Sequence, residues 1–162
     1  TIADAVGKPD AGEALVKRTQ EQIDQAKKQI AAWKPAKPMR VAFLYVRGNA
    51  GVFFILGSEN GASELIQGVG ADDVASDKGI TTLVPANAES LVSINPDAIF
   101  VMRDGLASTG GMKGLLARAG VANTTAGRKQ RVISIPDGIS LSFGPQTGEV
   151  LTAVAKALYG VK

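Results

Sequence analysis

The sequence predicts an α/β fold in which a mostly parallel sheet lies between two layers of helices. One observation is the unbroken apolar run V-A-F-L-Y-V at residues 41–46, which is typical of a central strand buried on both faces. A second is the alternation of short strand-like and helix-like segments from residue 80 onward, which indicates right-handed βαβ crossovers. Together they predict a three-layer αβα lobe of the Rossmann-like type.

A long helix is predicted ahead of this lobe, from Asp10 to Trp33. Its apolar residues form a narrow stripe and Lys, Arg, Gln and Glu fill the remainder, so we expect it to pack on one side only. Pro35 and Pro38 then prevent further helix and lead into the central strand. The chain is therefore expected to divide into a helical segment at residues 1–38 and an α/β lobe at residues 39–162.

The remaining elements of the lobe follow from local patterns. The link at residues 48–51 is too short for a parallel crossover, so the apolar run at 52–56 predicts an antiparallel neighbour of the central strand or its bulged continuation. A turn at 57–61, a short helix at 62–68 and an irregular stretch at 69–79 come next. The rest is predicted as strands at 80–84, 98–102 and 131–135, helices at 87–94, 112–119 and 145–159, and end-of-strand loops at 103–111 and 137–144.

Composition narrows the possible functions. At 162 residues the chain is long enough for one domain with a substantial core. Its 18 Lys and Arg residues are scattered and face 15 Asp and Glu residues, so no nucleic-acid partner is expected. The sequence contains no Cys and no His, which excludes zinc fingers, Ser-His-Asp triads and Cys nucleophiles. Because it starts at Thr1 within helix-like sequence, without an initiator Met, we expect it to be part of a longer protein.

Tyr45 and Arg47 are the first candidate site residues. Side chains alternate along a strand, so both lie on one face of the central strand, at its carboxyl end. Ligands of open α/β sheets bind at that end of the strands. An amphipathic core tyrosine followed by a solvated arginine is the more ordinary explanation, and the spacing alone leaves both open.

Glu89 is a further candidate, in the first turn of the helix predicted at 87–94. On its own, an acidic residue in this place is explained by a favourable interaction with the helix dipole.

Several segments resemble a known family. The segment NAESLVSINPDAIFVM at residues 87–102 resembles a signature of the class III substrate-binding proteins of ABC importers for haem, siderophores and cobalamin. The long helix at 10–33 resembles their rigid interlobe helix, and GASELIQGVGADDVA resembles another of their segments, with Val69 to Asp72 departing from the usual Gly-Gly and Asn. FLYVRG, STGG and SLSFGPQTGEVLTAVAKALYG most resemble the HmuT-type haem-binding lipoproteins of actinobacteria. The resemblance covers essentially the whole chain.

The resemblance implies a haem site between two lobes. It implies that Tyr45 binds the iron of ferric haem b, that Arg47 backs the tyrosine, and that a histidine of the other lobe completes the site; this sequence has no histidine. A phenolate is a hard anionic ligand that suits ferric haem. Arg103, facing a haem propionate, Ser140 and Phe143 are expected to contribute from the two end-of-strand loops, which should flank Tyr45. The resemblance also implies that Glu89 docks on arginines of the permease.

The sequence is thus interpreted as the carboxyl-terminal lobe of an extracytoplasmic lipoprotein, without its amino-terminal lobe. It is expected to deliver haem to an ABC permease and its ATPase, to catalyse nothing, and to meet the membrane only through a lipid anchor of the missing part. One alternative is a ferric-siderophore or corrinoid binding protein of the same class. Another is a small Rossmann-like enzyme domain that uses Asp104, Asp137 and Ser140 at strand ends.

Overall fold

In residues 1–48 and 51–161, which the computed structural model describes, the chain forms six β-strands and ten α-helices. The strands are β1 (Arg40–Arg47), β2 (Val52–Ile55), β3 (Asp72–Asp73), β4 (Val84–Pro85), β5 (Ala98–Met102) and β6 (Val132–Ile135). The helices are α1 (Ile2–Ala5), α2 (Pro9–Trp33), α3 (Ala62–Gly68), α4 (Val74–Asp77), α5 (Ala88–Ile94), α6 (Arg103–Ser108), α7 (Gly111–Leu116), α8 (Thr125–Arg128), α9 (Asp137–Ser140) and α10 (Thr147–Tyr159).

All six strands join one sheet with β1 at its centre. The order is β4-β2-β1-β5-β6, and β3 pairs with the first residues of β1. Strands β3, β5 and β6 run parallel to their partners, whereas β2 and β4 are antiparallel. The carboxyl ends of β1, β5 and β6 therefore meet at one edge of the sheet, which places the segments that follow them side by side.

The sheet is covered on both faces, which confirms the three-layer prediction. Alternation along β1 sends Val41 and Phe43 to one face and Ala42, Leu44 and Val46 to the other, and all five are buried. The first face packs against α2, α3 and α10, and the second against α4, α5, α7 and α8. Because both faces of β1 lose contact with water, its sequence is apolar throughout rather than alternating.

The long helix α2 confirms the predicted helix almost to the residue. Pro9 occupies its first turn, where a missing N–H costs nothing, and the helix ends before Pro35. Ala26 and Ile30 are its buried residues, consistent with packing on one side. Gly148 of α10 makes that packing close, because a Cβ there would lie 2.8 Å from the carbonyl oxygen of Gln22. No helix in the described part of the chain is long and apolar enough to cross a bilayer.

The strands were predicted best where they lie at the centre of the sheet. The antiparallel pairing of β2 with β1 is confirmed, although the predicted link at 48–51 includes Asn49 and Ala50, which lie outside the described residues. The strand predicted at 80–84 is wrong: β4 is only Val84–Pro85 and is antiparallel to β2. The carbonyls of Ile80 and Thr81 accept hydrogen bonds from Ser58 and Glu59 instead of joining the sheet.

Several predicted loops are partly helical. The stretch predicted as irregular at 69–79 contains β3 and α4. Asp73 caps α4 by accepting a hydrogen bond from the Ala75 N–H at 3.0 Å. The segment 103–111 begins with α6, and 137–144 begins with α9. The last helix starts at Thr147 rather than at Pro145, because the Gly144 carbonyl accepts hydrogen bonds from the backbone and the hydroxyl of Thr147 and forms a turn first.

Candidate functional site

Strand β1 brings Tyr45 and Arg47 to the carboxyl edge of the sheet on one face. Tyr45 is half-buried and packs against the core of the α2, α3 and α10 face. The guanidinium carbon of Arg47 lies 5.1 Å from the centroid of the Tyr45 ring, within the range of a cation–π interaction. The two side chains therefore form a pair at the edge of the sheet where ligands of open α/β folds bind.

A carboxylate from the neighbouring segment holds this arginine. Nη2 of Arg47 donates to Oδ1 of Asp137 at 2.7 Å, and the Asp104 N–H donates to Oδ2 of the same carboxylate at 2.8 Å. Asp137 begins α9, directly after β6, and Asp104 lies in the first turn of α6, directly after β5. The network thus ties together the carboxyl ends of β1, β5 and β6.

The network fixes the charge of both members. Burial favours the protonated form of Asp137, but the hydrogen bonds from Asp104 and Arg47 and the charge of Arg47 outweigh it and lower the pKa of this carboxyl. Asp137 in turn, with a smaller contribution from Tyr45, raises the pKa of the Arg47 guanidinium. Arg47 and Asp137 are therefore an ion pair at neutral pH.

Close packing on the other side limits where the guanidinium can go. Nη1 of Arg47 is buried, and no group in the described residues accepts a hydrogen bond from it. A Cβ on Gly105 would lie 2.7 Å from this nitrogen and 2.5 Å from the Val46 carbonyl oxygen, so only glycine fits here. The sulfur of Met102 lies 3.6 Å from Nη2.

The turn that follows Arg47 is also anchored. The Gly48 N–H donates to Oγ of Ser108 at 2.9 Å, and its carbonyl accepts a hydrogen bond from Nη2 of Arg118. The Arg118 guanidinium lies over the ring of Phe53, with its carbon 5.2 Å from the centroid. The end of β1 is therefore held from α6 and from the segment after α7.

Apolar side chains lie on the face of the sheet that carries Tyr45. Phe54 of β2 lies directly opposite it in the antiparallel register and is half-buried. Ile139 and Leu141 pack partly buried against the same core, and Phe143 is 49% exposed. Partly exposed apolar side chains on the face that carries Tyr45 suit a flat, largely apolar ligand.

The predicted site residues differ in whether their side chains are exposed at the edge of the sheet or buried. Arg103 is exposed at the carboxyl end of β5 and lines a groove of about 210 Å³ between β6 and α10. Ser140 is buried, and its hydroxyl donates to the Asp137 carbonyl at 3.1 Å. Phe143 lies near Gly61. Tyr45, Arg47 and the segments that begin at Arg103 and Asp137 are thus brought to one edge, whereas Ser140 faces inward.

Asp137 and Phe54 belong to this edge of the sheet, but neither is among the haem-site residues expected from the sequence. Asp137 was considered only for the enzyme alternative, and Phe54 was not singled out. The antiparallel register of β1 and β2 is the signal for Phe54, because a cross-strand partner lies on the same face. Nothing in the sequence pairs Asp137 with Arg47, since 90 residues separate them.

Two of the residues of the enzyme alternative are already engaged in hydrogen bonds at this edge. Both oxygens of Asp137 are occupied by donors, and Ser140 is buried against a carbonyl oxygen. Across residues 1–48 and 51–161, no group of three or more carboxylate, Cys or His side chains is placed to hold a metal ion. Glu89 lies elsewhere, exposed in the first turn of α5, which Asn87 caps.

A family model named "Periplasmic binding protein" matches residues 1–138. The chain belongs to the periplasmic binding protein family. This confirms the resemblance to class III substrate-binding proteins of ABC importers and the predicted α/β lobe. The family is extracytoplasmic. A search of curated proteins found no match.

Solved structures of haem-binding members of this family are similar to the chain. The heme-binding protein HmuT is 48% identical with a TM-score of 0.96, over 99% of this chain and 52% of that one. The periplasmic heme-binding protein RhuT from Roseiflexus sp. RS-1, in apo form, is 34% identical with a TM-score of 0.91, over 98% and 59%. BhuT in complex with two hemes is 32% identical with a TM-score of 0.86, over 98% and 59%. The chain thus spans a little more than half the length of these proteins.

Variants of HmuT have also been solved. They replace by alanine a histidine, a tyrosine, and an arginine two positions after that tyrosine. Each matches this chain at 48% identity. Of the two tyrosines in the present sequence, only Tyr45 is followed at the same spacing by an arginine, Arg47.

Proposed function

We propose that this chain is a haem-binding lobe of an ABC importer's substrate-binding protein, and that it binds ferric haem b as transported cargo. The observation that carries the proposal is the Tyr45 and Arg47 pair at the carboxyl edge of the sheet, with the guanidinium 5.1 Å from the phenol ring. The same pair of residue types, at the same spacing, was chosen for substitution in the heme-binding protein HmuT.

The surroundings of Tyr45 fit a porphyrin. The phenol oxygen of Tyr45 is the iron ligand, because an anionic oxygen stabilises the ferric state. Phe54, Leu141 and the half-exposed Phe143 form an apolar wall for the macrocycle. Arg103, exposed at the same edge, pairs with a propionate, since charge-assisted contacts with carboxylates are among the stronger polar interactions. Ser140 supports this wall from beneath through the Asp137 carbonyl.

A second lobe completes the site. Residues 1–38 are the helical segment with the interlobe helix α2, residues 39–162 are the carboxyl-terminal lobe, and an amino-terminal lobe covers the other face of the haem. This chain covers only 52% of HmuT and 59% of RhuT, which supports this division. With one wall only, the lone chain should bind haem weakly. A second axial ligand must come from the other lobe or from solvent, because the sequence contains no histidine.

Delivery takes place at the membrane. Glu89 docks on arginines of the permease, which works with its ATPase, and a lipid anchor on the amino-terminal part holds the protein at the cell envelope. The exposed position of Glu89 in the first turn of α5 supports the docking role. The protein performs no catalysis, in line with a family of binding proteins.

A titration with three ligands tests the proposal. The 162-residue chain is titrated separately with hemin, with cobalamin and with a ferric siderophore, and visible spectra are recorded. Hemin should produce a tyrosinate-to-iron charge-transfer band. The spectra of cobalamin and of the ferric siderophore should be the same with and without the chain. Specific binding of cobalamin or the siderophore, without a hemin band, would contradict haem as cargo and favour another member of the same class.

A further inference from the structure

The carboxylate of Asp137 lies between two donors from two different segments. Its Oδ1 accepts from Nη2 of Arg47 at 2.7 Å, and its Oδ2 accepts from the Asp104 N–H at 2.8 Å. The Asp137 side chain is 23% exposed and that of Arg47 is 35% exposed, so the pair is partly shielded from water. A charge-assisted hydrogen bond in such a place is stronger and shorter than one on an open surface.

The guanidinium has little freedom to leave this position. Nη1 is buried against Gly105, where even a methyl group would lie 2.7 Å away. Met102 contacts Nη2 at 3.6 Å, and the Tyr45 ring closes the remaining side. An arginine side chain at the end of a strand is long and flexible. Packing leaves this one few positions, and the carboxylate stabilises the position beside Tyr45.

We propose that Asp137 is a positioning residue of the ligand site, which holds the Arg47 guanidinium beside Tyr45 before haem arrives. This inference rests on the proposed function, because the held arginine matters only if Tyr45 binds the iron. Haem then meets a tyrosine whose cationic neighbour is already in place, and the ordering of Arg47 does not have to occur during binding.

An opposite role for Asp137 is the natural rival. A carboxylate next to Arg47 also cancels part of the charge that Tyr45 experiences. Both of its oxygens are already engaged, however, by the Arg47 guanidinium and the Asp104 N–H. The other charged groups at this edge are Arg103 and Asp104 from α6, both exposed, and Arg118, which is bound to the Gly48 carbonyl. Substitution of Asp137 distinguishes the two roles, because loss of the position and loss of the cancellation act on the phenolate in opposite directions.

Hemin titrations of four chains test the inference: the unsubstituted chain, Asp137→Ala, Arg47→Ala and the double variant. The quantity measured is the pH at which the tyrosinate charge-transfer band is half lost on acidification. Asp137→Ala should raise this pH, by no more than Arg47→Ala does, because the Arg47 guanidinium is no longer held beside the phenol. In the Arg47→Ala background, Asp137→Ala should no longer raise this pH, because nothing remains to be positioned.

Asp137→Asn separates position from charge. Its amide oxygen can still accept a hydrogen bond from Arg47, but a weaker one than a carboxylate accepts, so the half-loss pH should lie between those of the unsubstituted chain and Asp137→Ala. Asp77→Ala, an exposed residue at the end of α4, is the matched control and should leave the band unchanged. Circular dichroism and thermal unfolding of every variant verify that the fold is retained.

Each other outcome overturns the inference in a recognisable way. A half-loss pH that falls in Asp137→Ala and Asp137→Asn alike would show that Asp137 neutralises Arg47. An equal shift with and without Arg47 would show that Asp137 only supports α6 and α9. A normal band with an unchanged half-loss pH in Asp137→Ala overturns this inference alone, whereas no band in the unsubstituted chain overturns the proposed function as well.

Discussion

The guanidinium carbon of Arg47 lies 5.1 Å from the centroid of the Tyr45 ring, and both side chains point from the same face of β1. The alternation of a strand guarantees the shared face, but it leaves the conformer of a long arginine open. The ion pair with Asp137, at 2.7 Å, settles that conformer. The arrangement of the Tyr45 and Arg47 pair therefore depends on contacts among the ends of β1, β5 and β6, and not on the spacing within β1 alone.

Removal of Arg47 should make haem binding more sensitive to acid. In Arg47→Ala the tyrosine remains, so the alkaline spectrum with hemin should be unchanged. The pH at which the charge-transfer band is half lost should rise, because the cation that favours a phenolate is gone. The measurement is a pH titration of the hemin complex. Arg128→Ala, at an exposed residue at the end of α8, is the control; an equal shift there would point to net charge rather than to proximity.

Reversal of the charge at Arg103 should weaken haem binding without changing its spectrum. Arg103 is exposed, so its pairing with a propionate is worth about 1 kcal/mol or less, and Arg103→Ala should raise Kd by up to about fivefold. Arg103→Glu should raise it further. The ligand offers its own control: hemin dimethyl ester lacks the propionate charge, so Arg103→Ala should not change its affinity. An equal loss with both ligands would contradict the propionate contact.

Glu89→Arg should reduce transport and leave haem binding intact. The side chain is exposed in the first turn of α5, a helix that packs on the other face of the sheet from Tyr45, so the substitution leaves the core unchanged. Haem-dependent growth of cells that carry the complete importer measures transport, and a hemin titration measures binding. Glu21→Arg, also exposed but on α2, is the matched control. Unchanged growth with Glu89→Arg, or an equal defect with Glu21→Arg, would count against docking through Glu89.

Asp137 should also contribute to the acid stability of the chain. Its pKa is lower in the folded protein than its ordinary value, so the unfolded chain binds the proton more readily. The resulting stability is complete above the ordinary range of an aspartate, about pH 4, and is lost as the pH falls through the lowered value. Asp137→Asn should therefore have a flatter decline of unfolding free energy below about pH 4 than the unsubstituted chain. Urea unfolding at several pH values measures it; parallel declines would contradict the role of this carboxyl.

The central part of the fold could be predicted because local sequence decides it. The apolar run of β1 and the prolines around α2 each have a direct physical explanation, and the structure agrees with them closely. Strand β4 was misplaced because Ile80 and Thr81 are apolar or β-branched but hydrogen bond with the turn at 57–60, a tertiary contact. The prediction of a loop in place of α6 is wrong because Gly105 was taken to indicate irregular structure. In the structure Gly105 lies within the helix, where any larger residue would clash with Arg47 and Val46.

The candidate site was predictable in part for the same reason. Tyr45 and Arg47 are neighbours on a strand, so spacing and resemblance suffice to find them. Asp137 is 90 residues away from its partner, and only the meeting of β1, β5 and β6 at one edge brings it there. Ser140 follows the correct strand, yet the short helix α9 turns it inward.

The most direct measurement is the visible spectrum of the chain with hemin, before and after Tyr45→Phe. The substitution keeps the ring and its packing but removes the oxygen that binds iron, and no histidine or cysteine of the sequence can replace it. The unsubstituted chain should show the tyrosinate-to-iron charge-transfer band, and Tyr45→Phe should lose it and keep only weak apolar adsorption. The same spectrum in both proteins would contradict the assignment of Tyr45 as the iron ligand, and with it the central claim.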